Sequence, residues 1–486
     1  MSDVLAGLEP RSLWGHFSEM TAVPRPSKHE ERVVAWARSV AEKHGFEVRT
    51  DEIGNLVVVV PATPGRESAP VIILQGHLDM VCEKNNDVEH DFMNDPIRPR
   101  IDGDWVYATG TTLGADNGIG VAAGLAAATD PDVVHGPLEL LFTLDEETGL
   151  TGAQRLDGSM LQGRTMLNLD SEEDGVIFAG CAGGADTHLI LTPKTNAAPP
   201  GTTAHAVEVG GLRGGHSGLN IHENRGNAIK ILVRLLDHLA ASGVAYDLAT
   251  LEGGSAHNAI PREARAVIHL SAGGDAKLDK VLGPFKKDVQ AELKGIDEGV
   301  EIRVTPADGG SDVMVAADRD RLIALLMALP HGVLGMSQEL PGLVETSNNL
   351  ATVSADNGRI KIIVSSRSSI APIQEGLLAS IRAVGNLAGS EVQTHDGYPG
   401  WKPNMASPVL GVVREVYGKL WDGEPEVTAI HAGLECGLLG EKVPGLDMVS
   451  FGPQIEGAHS PEERIQISSV ARFWEALKKT LDRLSS

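Results

Sequence analysis

Along the first third of the chain, short apolar runs alternate with longer amphipathic stretches. "NLVVVV" and "VIILQGH" are continuous apolar runs bounded by turn residues, the pattern of strands buried on both faces. "HEERVVAWARSVAEKHG" repeats its apolar positions with helical spacing and ends on Gly45, a residue that terminates helices well. "DNGIGVAAGLAAAT" reads as a helix of small residues beginning near Asp116, and "LELLFTL" and "TMLNLD" read as further strands. Strands alternating with helices predict an α/β domain with a largely parallel central sheet. In such sheets ligands bind beyond the carboxyl ends of the strands.

The texture changes after "LTPKTNAAPPGTTAH", residues 191–205. Long amphipathic segments follow, such as "NAIKILVRLLDHLAASG" and "DRLIALLMALPHG", separated by alternating strands such as "AHAVEVGG" and "EARAVIHLSAGG". "GGSAHNAIPREARAVIHLSA" (253–272) echoes "TSNNLATVSADNGRIKIIVSSRSS" (346–369): an Asn, a turn, then an alternating strand. The expectation is an inserted α+β domain over 185–397, built from two copies of one unit. Residues 1–184 and 398–486 then form two parts of one α/β domain, the chain regaining that texture after "HDGYPGWKPN".

A chain of 486 residues exceeds one ordinary core, which agrees with two domains. The formal net charge of −25 disfavours nucleic acid and anionic membrane surfaces as partners. It also suits cation binding wherever carboxylates converge. Three scattered cysteines, Cys82, Cys181 and Cys436, form no C-x-x-C pair, so neither a thiolate zinc site nor a disulfide framework is expected. The N-terminus lacks a signal-peptide pattern and no apolar run approaches about 18 residues, so a cytoplasmic protein is the expectation.

The chemistry gathers at predicted strand ends. "ILQGHLDMV" puts His77 and Asp79 at i and i+2, on the same face of a strand as it enters a cleft; a metal ligand with its helper, or a strand-end turn, fits that spacing. Asp116 begins a predicted helix, where Asp commonly caps. The imperfect glycine pattern of Gly118, Gly120 and Gly124 would also suit a dinucleotide loop, but no Gly-x-Gly directly follows a strand. "LDEETG" supplies the adjacent Glu146 and Glu147, which repel unless a cation or solvent separates them. "NLDS" adds Asp170 and "IEGAHSPEE" adds His459. Two histidines and several carboxylates at the ends of one sheet suit zinc, cobalt or manganese.

H-x-D, A-D-N-G, D-E-E-T-G, N-L-D-S and G-A-H-S, in that order and spacing, resemble the M20 metallopeptidases. With the long insertion and "HAGLECG", the chain looks most like their aminoacylhistidine dipeptidases, also called cytosolic nonspecific or beta-alanyl-histidine dipeptidases. The resemblance covers essentially the whole chain and implies two divalent metal ions, zinc first, with cobalt and manganese as alternatives. It implies that Asp116 bridges the metals, that His77 and Asp170 complete one site, and that Glu147 and His459 complete the other. Glu146 is then the general base, acting on a metal-bridging hydroxide, and Asp79 orients His77. A cis peptide at Asp116–Asn117 is implied as well. His216 in "GLRGGHSGLN" matches a lid histidine that stabilises the oxyanion, and Asn258 and Arg367 match lid positions that hold substrate. Gly433 and Glu435 in "HAGLECGLL" either lie near the substrate backbone or amine, or form a structural turn.

The implied function is hydrolysis of dipeptides with a free N-terminus, Xaa-His such as beta-alanyl-histidine among them. An N-acyl-amino-acid deacylase or carboxypeptidase of the same family is the alternative. Outside the family, a dinucleotide oxidoreductase or a catalytically dead binding protein remain as rivals. In the duplicated insertion the second copy is expected to take the place of a partner's lid, so that His216 serves its own chain. The sequence leaves monomer and homodimer both open.

Overall fold

The structure, a computed structural model, describes residues 4–308, 310, 312–395, 397–421 and 423–486. It divides into two units. The first runs to Cys181 and takes in Trp401–Ala429 and Leu434–Ser486; the second comprises Ala182–Gly400 and Ile430–Gly433. The second unit begins and ends within a few residues of the expected insertion. It also takes Ile430–Gly433, a stretch that no shift in sequence texture sets apart.

The first unit is built on an eight-stranded sheet. Its middle strands, Leu138–Thr143, Ile72–His77, Thr165–Asn168 and Asp447–Ser450, run parallel. On one side Leu56–Val60 and Glu47–Thr50 add antiparallel; on the other Val176–Cys181 adds antiparallel, with Glu426–Ile430 outermost. The sheet is therefore mixed, parallel at its centre and antiparallel towards its edges. Every residue of the two apolar runs Ile72–His77 and Leu138–Thr143 is buried, as continuous hydrophobic strands require. Trp14, Phe17, Phe142, Phe451 and Phe473 belong to the core that covers them.

Helix Glu31–Lys43 ends at His44, and Gly45 follows with φ +76°, the left-handed position expected of it. Helix Ala115–Thr129 is almost wholly buried, and its small residues let it approach the sheet closely. A Cβ on Gly120 would lie 2.5 Å from the carbonyl oxygen of Leu169, so only glycine fits where this helix passes the strand end that leads into Asp170.

The second unit contains one strand–helix–strand–strand–helix–strand motif twice. The first copy is Thr203–Gly210, Ala228–Ala241, Tyr246–Gly253, Ala264–Leu270, Gly274–Glu292 and Glu301–Pro306. In the second copy the opening strand Gly183–Leu191 precedes the whole first copy. The remainder follows it: Ala316–Ala328, Val344–Asp356, Arg359–Ser368, Ala371–Leu387 and Glu391–Thr394. Both copies stack their strands in the order fourth, first, third, second, and the two second strands meet at Gly253 and Val353 to make one antiparallel sheet. Leu232, Leu236, Ile268, Ile362 and Val364 fill the core of this unit. Along Gly183–Leu191 the buried Thr187, Leu189 and Leu191 alternate with half-buried Asp186 and His188 on the other face.

Candidate active site

In the first unit the ends of three parallel strands and one helix start converge. Ile72–His77 ends on His77 and turns through Leu78 to Asp79. Leu138–Thr143 runs into Glu146 and Glu147 through Asp145, which takes φ +49°. Thr165–Asn168 leads to Asp170. Asp116, joined to Asn117 by a cis peptide, opens the helix Ala115–Thr129. His459, at φ +63°, stands in the turn between Ile455–Glu456 and Arg464–Gln466.

Asp116 sits between two sets of ligands. Its Oδ1 lies 3.1 Å from His77 Nε2, and its Oδ2 lies 3.2 Å from His459 Nε2. Asp170 Oδ1 is 3.4 Å from His77 Nε2, and Glu147 Oε2 is 3.0 Å from His459 Nε2. The donors of His77, Asp116 and Asp170 lie within 4.8 Å of one another, as do those of Asp116, Glu147 and His459. Asp116 does not cap its helix with its side chain; both of its oxygens face histidines.

Asp79 works behind this set. It is fully buried, with Oδ1 3.4 Å from His77 Nδ1. The backbone N–H of Glu146 donates to Oδ1 at 3.0 Å and that of Glu147 to Oδ2 at 3.2 Å, while the Ser27 hydroxyl donates to Oδ2 at 2.7 Å. One carboxylate thus fixes the tilt of the first histidine and the backbone of both glutamates. Burial would raise its pKa, but its bonds to His77, Ser27 and the Glu146 amide outweigh that and bring it to about 2.

The remaining carboxylates are crowded. Burial, together with the charges of Asp170, Glu147 and Glu435, pushes Glu146 well above the usual carboxylate range. Burial likewise brings Asp170 to about 7. Hydrogen bonds to Asp116 and Glu147 bring His459 up to about 11. Glu147 Oε1 is buried without a hydrogen-bond partner, and Asp170 Oδ1 has only the long 3.4 Å approach of His77 Nε2. Two imidazoles, three carboxylates and an orphaned oxygen converging on one point are a donor set that fits a pair of divalent cations.

In the second unit His216 pairs with Ala259 in a short two-stranded ladder, and the N–H of Ser217 donates to the carbonyl of Asn258 at 2.8 Å. The backbone N–H groups of Gly218 and Leu219 donate to His216 Nδ1 at 3.2 and 3.0 Å. Burial, with the Arg367 and His257 charges, lowers its pKa to about 4. An Nδ1 that accepts leaves the proton on Nε2, so the imidazole is a neutral donor. A Cβ on Gly218 would lie 2.1 Å from the carbonyl of His431, which explains the glycine after "HS". Arg367 is 6% exposed; it donates from Nη1 to the Tyr398 hydroxyl at 2.7 Å, and its Nε has no partner. Asn258 is exposed.

Gly433 and Glu435 fall in different units. A Cβ on Gly433 would meet the Tyr398 ring at 2.7 Å. Glu435 is fully buried beneath the carboxylate cluster, accepting from Gln75 Nε2 at 2.5 Å and the Thr143 hydroxyl at 2.6 Å, while its Oε1 has no partner.

Four groups that support the site escape a reading of the sequence. Ser27 and Arg25 lie in "VPRPS", which carries no periodic signal. Arg25, buried, donates from Nη1 to the carbonyls of Leu78 and Asp79 at 2.9 and 2.6 Å, and from Nη2 to that of Gly114 at 2.5 Å. Gln75 lies inside an apolar strand. Glu463 sits in "SPEERIQ", one of several adjacent glutamate pairs in the chain, and nothing in the sequence marks it out from the others.

The sequence profile of peptidase family M20/M25/M40 matches residues 73–483. The chain is 42% identical to the cytosol non-specific dipeptidase of Escherichia coli (strain K12) over 482 residues, 99% of each chain. It is similar to the crystal structure of aminoacylhistidine dipeptidase from Vibrio alginolyticus, at a TM-score of 0.91 and 40% identity, covering 99% of this chain and 98% of that one. Aminopeptidase PepT from Bacillus cereus, 17% identical, shares the fold at a TM-score of 0.58, covering 99% of this chain and all of that one. With the profile spanning most of the chain and a relative this similar over nearly its full length, the chain belongs to peptidase family M20/M25/M40.

Proposed function

We propose that the chain is a metallo-dipeptidase acting on dipeptides with a free N-terminus, Xaa-His such as beta-alanyl-histidine among them. Membership of the family implies divalent metal ions, and the convergence of carboxylates and histidines supports placing them at this cluster. The observation that carries the reading is Asp116, whose two oxygens face two separate sets of ligands. His77 and Asp170 would hold one zinc ion and Glu147 and His459 a second, with Asp116 between them; cobalt and manganese suit the same donors. Such a pair supplies an activated water and a polarised scissile carbonyl.

The chain's own residues do the rest. Glu146, the one of the two adjacent glutamates not assigned to a metal, takes a proton from the attacking water and passes it to the leaving amine. Burial and the acidic neighbours raise its proton affinity above that of an ordinary carboxylate. Asp79 holds the Glu146 amide and therefore aims that carboxylate. His216 offers Nε2–H to the developing oxyanion without changing charge. Arg367 grips the substrate's terminal carboxylate, and Asn258 is a second substrate-binding residue. Glu435, buried with one unpartnered oxygen, would be the anion that answers the substrate's free ammonium.

The test is a dipeptide panel, including beta-alanyl-histidine and N-acetylated counterparts, on metal-stripped protein restored with zinc, cobalt or manganese. Cleavage of free dipeptides and not of the acetylated ones supports the reading. Faster turnover of the acetylated series would make the chain a deacylase.

A further inference from the structure

Glu463 is a charged side chain, 2% exposed, beside a centre already crowded with carboxylates. Its side-chain hydrogen bonds go to backbone groups rather than to a ligand side chain. Its oxygens collect four successive backbone N–H groups: Leu113 at 2.7 Å and Gly114 at 2.9 Å on Oε2, Ala115 at 2.7 Å and Asp116 at 3.3 Å on Oε1. These amides belong to the non-helical turn that leads into the helix Ala115–Thr129, where Asp116 and Asn117 depart from helical backbone, so the carboxylate satisfies donors that no helical bond takes up. The four N–H groups and the nearby Arg25 guanidinium offset part of what burial costs this charge.

The position of Glu463 in the chain gives this contact its meaning. It follows His459 by four residues in the same turn, which returns through Gly457 and Ser460. The carboxylate therefore joins the loop that carries His459 to the loop that carries Asp116. Arg25 makes the matching link on the other side, joining the Gly114 carbonyl to those of Leu78 and Asp79, next to His77.

We infer that Glu463 is a positioning residue that sets Asp116 as the bridge and couples the second metal position, at His459 and Glu147, to the first. This rests on the metal-centre reading given above. An isosteric Glu463→Gln separates the inference from a simple loss of packing. Gln has one accepting oxygen, so its amide NH2 must face two of the four N–H donors in either orientation. Glu463→Asp keeps the charge but falls one methylene short.

Two measurements decide it. The first is hydrogen exchange of the Leu113–Asp116 amides in metal-free protein. Exchange in Glu463→Gln should be at least roughly tenfold faster than in the parent, because opening the loop no longer breaks the bonds to the carboxylate. The second is chelator-buffered metal titration. The parent takes two equivalents. Glu463→Gln should take the first with parental affinity, since Asp79 still orients His77, and the second with affinity lowered about 10- to 100-fold. Excess metal should then restore kcat with KM unchanged, and Glu463→Asp should fall between the two.

Parental exchange and parental second-metal affinity in Glu463→Gln would overturn the inference. So would equal weakening of both metals together with a large fall in the metal-free Tm, which marks a packing role alone. A parent that binds other than two metals would overturn the metal-centre reading instead, and the exchange measurement would still decide the contact itself.

Discussion

Asp79→Asn removes one charge and no volume, which makes it the cleanest perturbation of the groups behind the metal ligands. Asp79 Oδ1 serves the Glu146 amide and faces His77 Nδ1; Oδ2 serves the Glu147 amide and the Ser27 hydroxyl. Asparagine keeps one accepting oxygen. If that oxygen stays on the Oδ1 side, the new NH2 faces the N–H of Glu147. If it flips, the NH2 faces the N–H of Glu146. Ser27 can turn and accept, but a backbone N–H cannot, so one buried donor is orphaned in either orientation. That costs about 1–3 kcal/mol, or roughly 5- to 150-fold. His77 also loses the anion that strengthens it as a ligand, an effect usually worth about 10- to 100-fold in metal affinity or activity. The expectation is kcat/KM and apparent metal affinity both lower by about 10- to 100-fold, with far-UV circular dichroism unchanged. Metal affinity and kcat/KM within about twofold of the parent would refute the role given to Asp79.

If Arg367 holds the substrate carboxylate as proposed, Arg367→Ala should raise KM by about 10- to 150-fold, with a smaller change in kcat; steady-state kinetics on free dipeptides checks it. His331, lowered to about 4 by burial with the nearby Lys230 charge, binds no proton in the folded chain between pH 6.5 and 4, whereas the unfolded chain does. Stability of the second unit should therefore fall as pH drops through that window, and His331→Gln should remove that part of the loss in denaturation at pH 4.5 and 7. If His216 serves its own chain, mixing inactive Glu146→Gln with inactive His216→Ala under subunit exchange restores no activity; recovered turnover would place the histidine in a partner's site.

Three of the metal-ligand candidates, His77, Glu147 and Asp170, were legible because an apolar run stops just before them, while Asp116 at a helix start and His459 in a turn were found through the family pattern. Isolated carboxylates and imidazoles after buried strands stand out from their surroundings, and His77, Asp116, Glu147, Asp170 and His459 do converge. The parallel middle of the sheet followed from its two-faced apolar strands, but the antiparallel edges did not, because an edge strand and a central one differ little in five residues. The duplication left only a faint echo for a topological reason. The first copy interrupts the second between its opening strand and its first helix, so no fixed period runs along the chain. Arg25 and Glu463 were invisible for a physical one. They bind backbone atoms, and a carbonyl or an amide has no identity in the sequence.

The central claim is that the neighbouring Glu146 and Glu147 divide two tasks, one moving a proton and the other holding a metal. Metal content and turnover of Glu146→Gln and Glu147→Gln, measured side by side on dialysed protein, test it most directly. Glu146→Gln should keep two metals per chain and lose nearly all turnover, by about 10²- to 10⁴-fold for a general base, while Glu147→Gln should lose the metal shared with His459. Equal metal loss in both variants, or full activity in Glu146→Gln at normal metal content, would contradict the account.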